Sequence, residues 1–129
     1  MICCVDTHAL IWYLRNDPRL GSEAGRMMDG AENVVVIPTI VLLEMRYLAA
    51  KGRISAALAE TEEVVRGCPN CVIWPADEKV VRLAPLGLDI HDAIICGSAL
   101  SYRDLHNEPI SIITRDRAIK EWGGLPVVW

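Results

Sequence analysis

The chain has no phenylalanine, and its four tryptophans and three tyrosines make up only 5% of 129 residues. Its core must therefore be mainly aliphatic, with the indoles as the large fillers. Long hydrophobic runs are also missing. The longest nearly apolar stretch, Val34 to Leu43, is interrupted by Pro38 and Thr39 and is too short to span a bilayer as a helix. The beginning of the chain lacks a basic segment, and Asp6 breaks its first apolar stretch, so no secretory signal is expected. The expectation is a soluble, cytoplasmic protein with no membrane contact. Positive charge is not in excess either. Thirteen basic residues against seventeen acidic ones give a net charge of −4. A protein that simply coats a polyanion is normally basic, so nucleic acid would have to be handled here through local patches or bound cations. Cysteines number five, an odd count that argues against a disulfide framework.

What is present is an ordinary globular composition, 52% hydrophobic and 23% charged, in a length suited to one domain over residues 1–129. No repeat, linker or low-complexity segment interrupts it. Met1 to Val5 reads as a short buried strand and Thr7 to Arg15 as a helix stopped by Asp17-Pro18. Ser22 to Met28 suits a helix, β-branched Val34 to Ile37 a strand, and Pro38 to Lys51 a helix stopped by Gly52. One helix is expected from Ile54 to Arg66, a strand over Cys71 to Trp74, and a short helix over Asp77 to Leu83. Then come a helix from His91 to Tyr102, a strand over Ile110 to Ile113, a helix from Arg115 to Trp122 and a strand over Val127 to Trp129. Strands alternate with helices and no hairpin signal joins them. That pattern predicts an α/β fold with a mostly parallel sheet.

Four acids carry the chemistry. Asp6 and Asp116 each follow a strand, where parallel sheets bind ligands, although each is also well placed to cap the next helix. Glu44 stands three residues after Val41 and four before Leu48, on or beside an apolar helix stripe. A carboxylate there needs a partner or a metal. The plain structural alternative is an ion pair with Arg46 or Lys51. Asp92 shares a helix face with Ile95, Cys96 and Ala99, and it also suits the first turn of a helix capped by Asp89. Clustered carboxylates repel unless cations neutralise them. An all-oxygen set favours Mg²⁺ or Mn²⁺, which suits phosphodiester chemistry.

Four segments resemble, in order, the PIN-domain ribonucleases, specifically the VapC-type toxins of toxin–antitoxin pairs. They are Asp6-Thr7-His8-Ala9-Leu10-Ile11-Trp12, Leu43-Glu44, Asp89-Ile90-His91-Asp92-Ala93-Ile94-Ile95 and Ile113-Thr114-Arg115-Asp116-Arg117-Ala118-Ile119. The resemblance implies a three-layer α/β/α sandwich and an endoribonuclease dependent on Mg²⁺ or Mn²⁺. It implies that Asp6, Asp92 and Asp116 are metal ligands and that Glu44 is a ligand or orients a water. Thr7, Thr114 and Asp89 would support them from behind. It further implies an RNA substrate, a homodimer and inhibition by a cognate antitoxin protein. The chain departs from relatives with the same opening in having Leu43 where they often have Trp and Leu48 where they often have Lys. Arg46 and Arg115 are then the candidates for RNA contact.

Two other readings stay open. One is a PIN-like module that binds RNA or a partner without cutting. The other is a phosphoacceptor domain, which wants a lysine after a late strand, whereas Lys120 lies further on in a helix. Cys68-Pro69-Asn70-Cys71 follows a helix and precedes a strand, the reverse of a redox site, and reads as a turn with two incidental thiols. His8 and His91 flank proposed ligands and are expected to be structural hydrogen-bonders, with His106 solvated. Trp12, Trp74, Trp122 and Trp129 are expected to fill the core.

Overall fold

Five strands run in chain order as β1 (Ile2–Val5), β2 (Val34–Pro38), β3 (Cys71–Trp74), β4 (Ser111–Ile113) and β5 (Val127–Val128). In the computed structural model the backbone of all 129 residues is described, and every side chain except those of Ala59, Thr61 and Val64. The strands form one sheet of order β3-β2-β1-β4-β5, and every neighbouring pair is parallel. β1 is buried along its whole length, as a strand covered on both faces must be, which explains its uninterrupted apolar run.

Helices α1 (Thr7–Leu14) and α2 (Ser22–Asp29) connect β1 to β2. Helices α3 (Thr39–Ala50), α4 (Ala56–Ala59) and α5 (Thr61–Arg66) connect β2 to β3. Helices α6 (Glu78–Leu83) and α7 (Ile90–His106) lead from β3 to β4, and α8 (Arg117–Trp122) joins β4 to β5. Connections leave β1 toward one edge and reach β4 and β5 on the other. Right-handed crossovers therefore cover both faces, giving the α/β/α sandwich. The long helix α7 packs on β1, β2 and β4. It comes close to α6 because position 97 is glycine: a Cβ there would stand 2.6 Å from the carbonyl oxygen of Val80.

Most boundaries match the sequence reading within one residue, and three differ for visible reasons. The helix expected over Ile54 to Arg66 is two helices. Ser55 caps the first of them at the Leu58 amide (3.4 Å), and Glu60, with ψ 13°, separates them. Helix α7 runs one turn past Tyr102 to His106. The rings of these two residues stack at 4.0 Å, Trp74 packs edge-on against both, and Asn107 in the left-handed region ends the helix. Helix α8 begins at Arg117 rather than Arg115, because Asp116 is its cap. Arg115 is thereby left in the loop after β4. Among the described residues, no helix is long and apolar enough to cross a membrane.

The tryptophans are spent largely as expected. Trp12 is buried at 9% exposure, and Trp74, Trp122 and Trp129 pack against the core. Cys68 and Cys71 are free thiols across a turn closed by the Cys71 amide on the Cys68 carbonyl (3.1 Å).

Candidate active site

The strand order reverses direction at β1, so the crevice beyond the carboxyl ends of β1 and β4 is the place where such a sheet binds ligands. A cavity of about 400 Å³ lies there, and Asp6, Glu44, Asp92 and Asp116 all line it. Four acids from four separate stretches of chain thus face one space.

Each is positioned by ordinary local structure. Asp6 leaves β1 and caps α1, its Oδ1 accepting from the Ala9 amide at 2.7 Å. Its Oδ2 accepts from the Thr114 hydroxyl. Asp116 leaves β4 and caps α8 by accepting from the Ile119 amide at 3.0 Å, and its own amide donates to Thr114 Oγ1 at 3.0 Å. Thr114, 1% exposed, therefore ties the two strand-end aspartates together. Asp89 caps α7 by accepting from the His91 amide at 3.0 Å, which places Asp92 in the first turn of that helix. Capping and cavity lining are not alternatives here, since the same carboxylates do both.

Glu44 does not form the ion pair with Arg46 or Lys51 that was the plain structural alternative. Its Oε2 lies 4.0 Å from Nδ1 of His91, at the start of α7. Its Oε1 is buried and completes no hydrogen bond, and the same holds for the Thr7 hydroxyl nearby. The hydroxyl is still close enough to hold Glu44's pKa down somewhat, though not in hydrogen-bonding geometry. Arg46, two residues on, is exposed and does not line the cavity, whereas Arg115 does. Thr7, His8, Trp12, Asp89, His91, Ile95 and Trp129 complete the wall. The sequence marked both histidines only as neighbours of ligands, and it gave no sign that two tryptophans would border the acids.

The electrostatics report crowding. Burial pushes the Asp6 carboxyl up, opposed first by its bonds from Thr114 and Ala9. Burial also pushes Glu44 up, against the attraction of His91. Asp92 rises to about 6, first from burial and then from the charges of Asp116, Asp89, Asp6 and Glu44. A cation would offset every one of these repulsions. The donor set is all oxygen, and the buried orphan at Glu44 Oε1 is an acceptor awaiting a partner. Among the described residues no three His, Cys, Asp or Glu side chains are drawn close enough together to hold a metal ion between them. Among the described lining residues the cavity's one lysine or arginine is Arg115.

Comparison with known proteins agrees with this architecture. Solved structures are similar over nearly the whole chain. A chain of VapBC2 from Rickettsia felis, bound there to a DNA fragment from its promoter, has TM-score 0.71 and 17% identity, covering 100% of this chain and 99% of that one. A chain of VapBC-1 from nontypeable Haemophilus influenzae has TM-score 0.66 and 18% identity, covering 99% and 97%. A chain of a toxin–antitoxin complex from Klebsiella pneumoniae has TM-score 0.60 and 23% identity, covering 98% and 96%. No curated protein matches the sequence significantly. The family model described as PIN domain matches residues 3–125, so the chain belongs to the PIN domain family.

Proposed function

We propose that this protein is an endoribonuclease dependent on Mg²⁺ or Mn²⁺ and the toxin of a toxin–antitoxin pair. The observation that carries the reading is the convergence of Asp6, Glu44, Asp92 and Asp116 on one cavity at the switch point of the sheet. A protein that only bound RNA would gain nothing from four converging carboxylates in an acidic chain.

In this reading Asp6, Asp92 and Asp116 would hold the cation, directly or through water, with Thr114 tying Asp6 to the Asp116 amide, Asp89 capping the helix that carries Asp92, and the unpartnered Thr7 hydroxyl free to bond a ligated carboxylate or water. Glu44 is a further ligand or accepts a hydrogen bond from the attacking water at its unpartnered Oε1. The cation supplies Lewis acidity, easing loss of a proton from that water and offsetting charge on the departing oxygen. The water oxygen bonds to phosphorus, the bond to the 3′-oxygen breaks, and that oxygen takes up a proton. The products are a 5′-phosphate and a 3′-hydroxyl.

The antitoxin reading has its own support. A groove of about 420 Å³, lined by Ile40, Leu43, Tyr47, Leu48 and Lys51, shares Glu44 and His91 with the acid cavity. Leu43 and Tyr47 are exposed at 45% and 62%. A protein segment seated there would cover Glu44 and His91 at the edge of the acid cavity. The structural neighbours come from VapBC and toxin–antitoxin complexes. A homodimer and a cytoplasmic setting belong to the same proposal.

The test is cleavage of a mixed structured-RNA pool in EDTA, Mg²⁺ or Mn²⁺ by wild type and by Asp6→Asn. Cutting that needs the metal and disappears in the variant is the expected result. Folded, metal-loaded, antitoxin-free protein that binds RNA without cutting it would replace this reading with a non-catalytic PIN-like module.

A further inference from the structure

The cavity has a second character that the acids do not explain. Beside the carboxylates its wall carries Arg115, the one guanidinium among its described lining residues. We infer that Arg115, held over the ring of Trp12, seats a substrate phosphate at the rim of the acid cavity, with Trp12 as its positioning residue. The inference rests on the nuclease reading and adds to it how a polyanion is held beside the cavity's carboxylates.

Three observations carry it. First, the backbone of Arg115 is fixed on both sides. Thr114 donates to Asp6 through its hydroxyl and to the Val128 carbonyl through its amide (3.4 Å). The amide of Asp116 donates back to Thr114 Oγ1 at 3.0 Å. Second, the guanidinium carbon lies 5.5 Å from the centre of the Trp12 ring, within reach of a cation–π contact. The ring cannot swing away, because it is buried and Trp129 meets it edge-on at 5.6 Å.

Third, Arg115 is exposed and, among the described residues, makes no ion pair despite the acids around it. A second arginine makes the contrast plain. Arg19 lies 4.8 Å from the same ring, but Asp17 closes it with two bonds of 3.1 and 2.8 Å. Two arginines touch one tryptophan, then, and only the one in the cavity keeps its donors for an incoming ligand. A planar guanidinium matches phosphate oxygens bidentately, and a pre-ordered one loses less freedom when it binds. Trp12 itself is too enclosed to stack on a base, so its part is to aim Arg115.

The probe is a fluorescein-labelled single-stranded RNA pool with Mn²⁺, read for cleavage kinetics and, by anisotropy in the Asp6→Asn background, for affinity against salt. Arg115→Ala is expected to raise KM about ten- to a hundredfold, with kcat within about twofold. Its log–log salt slope should be shallower by about 0.7, the share of one phosphate on a single strand. Arg115→Lys should keep the slope and recover only part of the KM. Trp12→Leu should raise KM in the wild-type background and add little once Arg115 is alanine, since its effect passes through that side chain. If Trp12→Leu lacks a cooperative thermal transition, Trp12→Phe serves in the same cycle.

Arg115→Ala with wild-type KM and slope on RNA that it still cuts overturns the inference and leaves the nuclease reading standing. Additive effects of the two positions overturn the positioning role. Folded wild type that neither binds nor cuts the RNA overturns both readings.

Discussion

Asp77 and Asp6 are built alike and sit in different places. Asp77 follows β3 and caps α6 by accepting from the Val80 amide at 3.0 Å. Asp6 follows β1 and caps α1 by accepting from the Ala9 amide at 2.7 Å. In sequence both stand where a helix begins after a strand, Asp6 just before its helix and Asp77 at the expected start of its own. Yet β3 is the edge strand and Asp77 is exposed, outside the acid cavity, whereas β1 is the centre of the sheet and its end meets that of β4. The local motif is the same; the topology decides which copy has acidic neighbours. A capping aspartate becomes a functional candidate only when the strand order brings a second one beside it.

The sharpest way to break this comparison is to neutralise each cap in turn. Asparagine caps a helix nearly as well as aspartate, so the substitution removes charge while sparing the helix. Asp6→Asn and Asp116→Asn are expected to lower RNA cleavage by at least about a hundredfold. Asp77→Asn should cut at the wild-type rate and melt at the wild-type temperature. Equal loss in all three would mean that the caps matter for folding alone.

Cation binding should separate the same residues. A ligand that binds only the folded state at about a hundred times its dissociation constant adds roughly 2.7 kcal/mol of stability. Millimolar Mn²⁺ should therefore raise the melting temperature of wild type and of Asp77→Asn by several degrees, and raise that of Asp6→Asn little. A scanning calorimeter reads this without any RNA, so it tests the convergence of the acids independently of catalysis.

These contrasts also show how much was legible beforehand. The alternation of strands and helices was, because parallel strands buried on both faces show as short apolar runs such as Ile2 to Val5. The four acids stood out less evenly: Glu44 and Asp92 lie on apolar helix faces, whereas Asp6 and Asp116 read singly as helix caps, and only their shared cavity sets them apart. The partner of Glu44 was not legible. Arg46 and Lys51 were its neighbours along the chain, but the group that reaches it, His91, starts a different helix. The split at Glu60 and the extra turn to His106 were also hidden. One depends on a backbone angle and the other on ring stacking across the fold. The tryptophans were rightly read as core fillers, but no periodicity announces that Trp12 and Trp129 fill the core at the wall of the cavity.

Thr114 joins the two aspartates that the comparison sets apart from Asp77, and its removal should be felt next. Valine keeps the shape and loses the hydroxyl, leaving the Asp116 amide without its acceptor and Asp6 without a donor. The expected cost is about 1–3 kcal/mol in urea unfolding. Because that donor holds the Asp6 carboxyl down against burial, Thr114→Val should also move the acid limb of the pH–rate profile to higher pH. A mere packing defect would lower stability and leave the limb where it is.

The smallest effect is in the pH dependence of the metal-free protein. Asp92 has its carboxyl raised from 3.8 to about 6 by burial and by Asp116, Asp89, Asp6 and Glu44. Between those values the folded chain binds more protons than the unfolded one, so stability falls as pH rises through the window. The penalty is absent below 3.8 and fully present above about 6. Asp92 is partly exposed, so solvent screening limits the penalty to about 1 kcal/mol. In EDTA, Asp92→Asn should be more stable than wild type at pH 7.5 and similar to it near pH 4, a difference that Mn²⁺ should reverse by favouring the intact carboxylate. Asp77→Asn should show no such crossing with pH. If it did, repulsion among the acids at the β1 and β4 ends would not be what distinguishes them from the acid at the edge.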